Sequence, residues 1–174
     1  MKIFMTNLGK YTEGYLIGKW VKLPVSEDKL NEVLEAIGIN EYYEEYFITD
    51  YENEIIGIGD VISEYSSVQA LNELAQRLEE LSDDEADKLG AVLEYEACRS
   101  VSDVLELLDK LDEFDLLTDV TDDEELGYYY AEEYCSIDIP EHVQPYFDFE
   151  AFGRDVRLEN SCLFTSYGFL LDNR

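Results

Sequence analysis

The sequence is poor in the residues from which most catalytic centres are built. It has one histidine, His142, and only three cysteines, Cys98, Cys135 and Cys162, among 174 residues. A single histidine excludes metal sites and catalytic triads that need several. An odd number of widely spaced cysteines argues against a disulfide framework, and we expect all three to be small buried residues. The H-E-x-x-H, G-x-S-x-G and P-loop patterns are also absent.

Long apolar runs are missing as well. No stretch approaches the roughly 18 apolar residues of a membrane-spanning helix, and the first residues, Met1 to Met5, are too short an apolar run for a signal peptide. Hydrophobic residues still make up 46% of the chain, with 14 Tyr and 8 Phe, which is enough to bury a core. We therefore expect a folded, soluble, cytoplasmic protein.

Positive charge is scarce. Twelve Lys and Arg face 42 Asp and Glu, which gives a formal net charge of −30. Duplex DNA carries one negative charge per roughly 1.7 Å of its axis, so this charge equals that of roughly 50 Å of duplex. Such a chain repels nucleic acid and anionic membranes and attracts basic grooves, and its self-repulsion favours an elongated shape.

The few cations are unevenly distributed. From Leu30 to Gln76 there is no Lys or Arg against 11 carboxylates, and from Leu111 to Gly153 there is none against 14. Ordinary surfaces mix both signs, so these stretches predict acidic faces kept free of internal salt bridges. Halophile-like or merely solubilising acidity is the alternative interpretation.

The hydrophobic pattern predicts an α+β fold of three small domains, and the charge favours an elongated arrangement. We expect an N-terminal antiparallel sheet with a helix (1–64), a central helical bundle (65–112) and a C-terminal α+β domain with a short antiparallel sheet (113–174). The predicted strands are Lys2–Thr6, Tyr15–Lys22, Glu45–Tyr51, Asp155–Glu159, Cys162–Thr165 and Gly168–Leu171. Helices are predicted to start at Ser26, Ser82, Ser100 and Thr121, each of which is followed by an acidic residue in the first turn. An apolar stripe from Val68 to Leu81 predicts a further helix.

Several segments together resemble the ArdA family of antirestriction proteins, which plasmids, conjugative transposons and phages carry. They are Asn7-Leu8-Gly9-Lys10-Tyr11, Gly18-Lys19-Trp20, Tyr43-Glu44-Glu45-Tyr46, Asp50-Tyr51-Glu52 and Ile139-Pro140 through Ala151-Phe152-Gly153-Arg154-Asp155. They are spread over nearly the whole chain. The resemblance implies a dimeric mimic of bent B-form DNA that occupies the DNA-binding groove of type I restriction-modification enzymes, blocking restriction and possibly modification.

The acidic surface and the motif give the candidate site residues. The predicted DNA-mimic carboxylates are Glu32, Glu35, Glu41, Glu44, Glu45, Asp50, Glu52, Asp60, Glu64, Asp112, Glu113, Asp115, Asp119, Asp122, Asp123, Glu124, Glu125, Glu132 and Glu133. By resemblance, the dimer contact and antirestriction motif comprise Pro140, Tyr146, Phe147, Phe149, Phe152, Gly153, Arg154 and Asp155. We expect no catalytic residue, no cofactor and no metal site.

Two other functions stay open at this point. One is that of an acidic chaperone or binding protein for a basic partner, which would carry the same charge but have no effect on restriction. An enzyme could use carboxylate pairs such as Glu44 and Glu45 or Glu132 and Glu133, although adjacent pairs are expected by chance among 42 carboxylates.

Overall fold

The computed structural model describes residues 1–134, 139–140 and 142–174, without the side chains of 133 and 134. Within these residues the fold is α+β, as predicted. The helices are α1 (Leu8–Thr12), α2 (Glu27–Ala36), α3 (Val68–Glu79), α4 (Asp83–Tyr95), α5 (Val101–Leu108), α6 (Asp123–Tyr128) and α7 (Phe149–Glu159). The strands are β1 (Lys2–Asn7), β2 (Gly18–Lys22), β3 (Tyr46–Glu52), β4 (Phe114–Leu117), β5 (Cys162–Thr165) and β6 (Gly168–Asp172).

The chain divides into two compact units. The N-terminal unit comprises Met1–Ala86 and Ala97–Asp109, and the C-terminal unit comprises Asp87–Glu96 and Lys110–Arg174. The boundaries predicted for three domains, at 64 and 112, stay a prediction. None of the helices in the described part of the chain has the length and apolar composition needed to cross a bilayer.

The N-terminal unit is built on an antiparallel sheet with the strand order β2-β1-β3. Alternation along β1 places Ile3 and Met5 in the core, where Val21 of β2 joins them. Helix α2, which starts at the predicted cap Ser26, contacts β2 and buries Val33. Helices α3 and α5 pack against each other.

The C-terminal unit combines a second antiparallel sheet, of order β4-β6-β5, with α6 and α7. After α6 the chain continues as a π-helix over Tyr129–Tyr134, and a 3-10 turn at Gln144–Tyr146 precedes α7. One cluster of buried residues in the core of this unit comprises Val120, Leu126, Tyr130, Val156 and Phe169.

Two predictions about this region are wrong, and one strand in it was missed. Asp155–Glu159 is not a strand but the second half of α7, because burial of Phe149, Gly153 and Val156 follows the helical spacing, whereas Leu158 is exposed. Strand β4 was not predicted. The fourth predicted helix start is one residue early, since Asp122 caps α6 in place of Thr121.

The cysteines differ from expectation too. Cys98 and Cys162 are half-buried rather than buried, and Cys135 lies outside the described residues. Partial burial raises the pKa of the Cys162 thiol. His142 is exposed.

Candidate functional site

The predicted acidic surface consists almost wholly of exposed side chains. Seventeen of its nineteen carboxylate residues are exposed. Asp123 is half-buried, and the side chain of Glu133 lies outside the part that the structure describes. Nine of the nineteen belong to the N-terminal unit and ten to the C-terminal unit.

Negative charge is shared equally between the two units. The N-terminal unit holds 7 basic and 22 acidic residues, and the C-terminal unit holds 5 basic and 20 acidic residues, so each has a formal net charge of −15. Neither unit is electrically neutral. Each one alone carries the charge of roughly 25 Å of duplex.

Three carboxylates of the predicted surface form ion pairs, contrary to the expectation of faces free of internal salt bridges. Lys29 lies 2.5 Å from Glu32, Lys2 lies 2.6 Å from Glu52, and Arg157 lies 2.7 Å from Asp123. Each of these cations lies outside the two stretches that lack Lys and Arg. Lys29 is three residues before Glu32 in α2, and Lys2 is opposite Glu52 on the neighbouring strand. The hydrogen bond from Lys29 is the main cause that lowers the pKa of Glu32.

The acidic run that opens α6 is largely committed to the fold. The Asp122 carboxylate accepts a hydrogen bond from the backbone N–H of Glu125 at 2.9 Å. The Glu125 carboxylate in turn accepts from the backbone N–H and hydroxyl of Thr121, both at 2.8 Å. These bonds satisfy N–H groups at a helix start, where negative charge also opposes the helix dipole. Of the carboxylates from Asp122 to Glu125, that of Glu124 accepts none of these hydrogen bonds and is available to a binding partner.

Asp123 anchors α6 to α7. Its two oxygens accept hydrogen bonds from Nε of Arg157 at 2.7 Å and from an Nη of the same guanidinium at 2.9 Å. The Asp123 side chain is 21% exposed, so the pair is only partly screened by water. The hydrogen bonds from Arg157 are the main cause that lowers the pKa of Asp123.

We expect Asp123→Asn to lower the free energy of unfolding by about 2 kcal/mol at neutral pH, because a charge-assisted bidentate pair is lost. A lowered folded-state pKa stabilises the fold above the ordinary Asp value of 3.8, and this contribution disappears as the pH falls through the folded value. The difference between wild type and variant should therefore be constant above about pH 5 and shrink below about pH 4. Urea unfolding at a series of pH values measures it, and a difference that does not shrink in acid contradicts the pairing.

The antirestriction-like motif lies mostly inside the C-terminal unit. Phe149 is buried, and Phe152 packs against the core. Gly153 is buried where α7 meets α6, so close that a Cβ there would overlap the backbone of Asp123 and Gly127. These motif residues therefore fix the α6–α7 packing.

The remaining motif residues face outward to differing degrees. Tyr146 is 87% exposed, and Pro140, Arg154 and Asp155 are exposed as well. Phe147 is half-buried against Phe149, with ring centroids 4.7 Å apart. Of the motif's aromatic side chains, Tyr146 alone offers a large area to another molecule.

The first recognisable motif, Asn-Leu-Gly-Lys-Tyr, also has a structural role. Asn7 is fully buried, caps α1 and donates a hydrogen bond to the Ile37 carbonyl oxygen at 3.1 Å. The Lys10 ammonium donates to the Tyr43 hydroxyl at 2.6 Å, and that hydroxyl donates to Glu13 at 2.8 Å. The hydrogen bond with Tyr43 is the main cause that raises the pKa of Lys10 and lowers that of Glu13.

Sequence reasoning missed one feature of the acidic surface, a cleft of about 440 Å³ in the C-terminal unit. Three surface carboxylates line it together with two tyrosines. They are Asp119, Glu125, Glu132, Tyr128 and Tyr129. Carboxylates beside aromatic rings suit a guanidinium or ammonium group. The grouping of tyrosines and glutamates over residues 128–134 was the available signal.

Among the described residues, no group of three or more His, Cys, Asp or Glu side chains is arranged to hold a metal ion. A family model described as "Antirestriction protein (ArdA)" matches residues 3–171 of the 174. No curated protein matches the chain significantly.

Proposed function

This chain belongs to the ArdA family of antirestriction proteins, and we propose that it inhibits type I restriction-modification enzymes by occupying their DNA-binding groove as a mimic of DNA. The inhibitor acts stoichiometrically and catalyses no reaction. Because its target works on intracellular DNA, we place its action in the cytoplasm.

The observation that carries this proposal is the exposure of the acidic residues in both units. Seventeen predicted surface carboxylates are exposed, and of these only Glu32 and Glu52 have an ion-pair partner among the described residues. A groove that binds DNA presents Lys and Arg at the positions of phosphates. Unpaired carboxylates on a folded surface offer the same charge without phosphodiesters to cleave or bases to methylate.

The direct test is a titration of a purified type I enzyme with this protein while cleavage of a target plasmid is followed. We expect complete inhibition near one inhibitor, counted as the dimer proposed below, per DNA-binding groove. Inhibition should weaken as salt increases, because salt screens the charge complementarity. The slope of log potency against log salt should be shallower than that of DNA binding, since fixed carboxylates release fewer condensed counterions than phosphates do. Potency that is independent of salt would contradict a groove-binding mimic.

We also propose a homodimer that uses the exposed part of the motif. Two copies would carry a formal charge of −60, equivalent to roughly 100 Å of duplex. Tyr146, at 87% exposure, is the motif side chain with the most area to bury at such a contact.

Tyr146→Asp is expected to weaken self-association at least tenfold without unfolding the chain, because it places a charge in the contact. Tyr42→Asp is the matched control, since Tyr42 is 92% exposed and lies in the other unit. Sedimentation velocity over a range of micromolar concentrations measures both. A wild-type protein that is monomeric throughout, or an equal effect of the two variants, would rule out this contact.

The second candidate, an acidic binding protein for a basic partner, rests on the charge alone. It predicts tight binding to generic basic proteins and no inhibition in the cleavage titration.

A further inference from the structure

The first 29 residues of this acidic protein carry a net positive charge. Residues 1–29 hold five Lys and three acidic residues, a net charge of +2, whereas the other 145 residues have a net charge of −32. Within the part that the structure describes, Lys19 and Lys22 of β2 have no ion-pair partner, although 42 carboxylates are present in the chain. A DNA-like surface does not account for them.

The same strand is an open edge of its sheet. In the order β2-β1-β3, the one described strand that β2 pairs with is β1. The bonds from Asn7 N–H to the Ile17 carbonyl oxygen (2.9 Å) and from Leu23 N–H to the Met1 carbonyl oxygen (3.0 Å) show that odd-numbered residues bond to β1. Because bonding alternates along an antiparallel strand, Trp20 and Lys22 present their backbone N–H and C=O groups at the free edge.

Large apolar side chains are exposed along this edge. Tyr15 is 60%, Leu16 65%, Ile17 41% and Trp20 39% exposed. Beside Ile17 lies a groove of about 370 Å³ that Tyr15, Ala36 and Ile37 also line, with Lys10 and Glu35 at its charged part. Lysines such as Lys19 and Lys22 commonly protect an edge strand against pairing, but exposed apolar residues in series beside them mark an interaction surface.

We propose that the β2 edge binds an extended segment of a partner protein, in which acidic and apolar residues alternate, as a fourth strand of the sheet. Backbone hydrogen bonds at Trp20 and Lys22 hold the segment. Its carboxylates lie on the sheet face of Lys22, and its apolar side chains lie on the opposite face, where Ile17 lines the groove. Strand addition of this kind takes its affinity from the main chain and its selectivity from alternate side chains.

Charge decides between this occupant and two others. A second copy paired through β2 would bring Lys19 and Lys22 toward the same residues of its partner, within two units of −15 each. Nucleic acid would be attracted by the lysines but repelled by the −15 of the unit that carries them. A segment of alternating acidic and apolar residues carries fewer charges than a nucleic acid of the same length, and it has the main chain that pairing with β2 requires.

The test uses the full chain and two capped ten-residue peptides, one alternating Glu and Val and the other alternating Lys and Val. Trp20 is the only tryptophan, so its emission reports on β2 directly. The Glu-Val peptide should shift that emission to shorter wavelength in a saturable way and slow hydrogen exchange of the Trp20 and Lys22 amides at least tenfold. The Lys-Val peptide should do neither.

Variants separate local charge from net charge. Lys19→Glu with Lys22→Glu should weaken Glu-Val binding at least tenfold. Lys88→Glu with Lys110→Glu makes the same change in net charge in the other unit and should weaken it less than twofold. Four results would each overturn the proposal. They are equal binding of both peptides, no binding of either, protection of the edge by self-association without peptide, and the same response to a DNA oligonucleotide. None of these outcomes depends on whether the protein inhibits restriction.

Discussion

Gly153→Ala is expected to destabilise the C-terminal unit by about 3 kcal/mol, at the upper end of what overpacking costs. A Cβ at this position would overlap the carbonyl oxygen of Asp123 and lie 2.6 Å from the backbone nitrogen of Gly127. Backbone atoms cannot escape by changing rotamer, so α6 and α7 must separate. For a unit of this size the loss corresponds to a fall of roughly 10–20 °C in Tm, which differential scanning calorimetry measures.

Glu150→Ala is the matched control for this experiment. Glu150 lies on the same helix but is exposed, so we expect a change within about 0.5 kcal/mol. Gly127→Ala should resemble Gly153→Ala, because its Cβ would overlap the Phe149 carbonyl group. If Gly153→Ala melts like wild type but no longer dimerises, the glycine serves the dimer contact and the helix packing described above is wrong.

Neutralising four exposed surface carboxylates together is expected to weaken inhibition by about 2 kcal/mol, roughly 30-fold, because each solvated charge contributes about 0.2–1 kcal/mol. The block is Glu41→Gln, Glu44→Gln, Glu45→Gln and Glu64→Gln. None of these side chains takes part in an ion pair that the structure describes. Each single substitution should change potency by about fivefold at most. Cleavage titrations at low salt give the potencies.

A control with the same charge change uses acidic residues outside the predicted surface. It combines Glu79→Gln, Glu80→Gln, Asp87→Asn and Glu106→Gln, all at exposed positions. We expect it to weaken inhibition much less than the surface block does. Equal losses would mean that net charge alone matters. Loss of all activity through one substitution in a folded protein would indicate a discrete site.

The choice of block follows from the structure and not from the sequence. Neutralising Asp122, Asp123 and Glu125 is attractive from the charge pattern, but these residues cap α6 and hold Arg157. A loss of inhibition in such a variant could not be separated from a loss of fold. The carboxylates of the N-terminal block avoid this difficulty.

Local signals in the sequence predicted much of the fold. The Ser100 and Asp103 capping box opens α5, and Ser82 with Glu85 opens α4 in the same way, because caps depend on residues three apart. The four strands β1, β3, β5 and β6 were predicted within about one residue by alternation and turns. Family resemblance is confirmed over residues 3–171.

What local pattern could not predict depends on contacts distant in sequence. In Asp155–Glu159, Val156 and Leu158 alternate as in a strand, but contact with α6 buries Val156 and leaves Leu158 exposed. Strand β4 has four residues and is recognisable only through its pairing with β6. The ion pair of Asp123 with Arg157 joins residues 34 positions apart, so a stretch without cations is not a surface without pairs.

The most direct test of DNA mimicry is a set of DNA-binding isotherms for a type I enzyme, recorded at increasing concentrations of this protein. If the protein occupies the DNA groove, the apparent Kd for DNA rises in proportion to the inhibitor concentration, while the amount of DNA bound at saturation stays the same. If the apparent Kd levels off, or a complex of enzyme, DNA and inhibitor is found together, the inhibitor binds elsewhere and the account is contradicted.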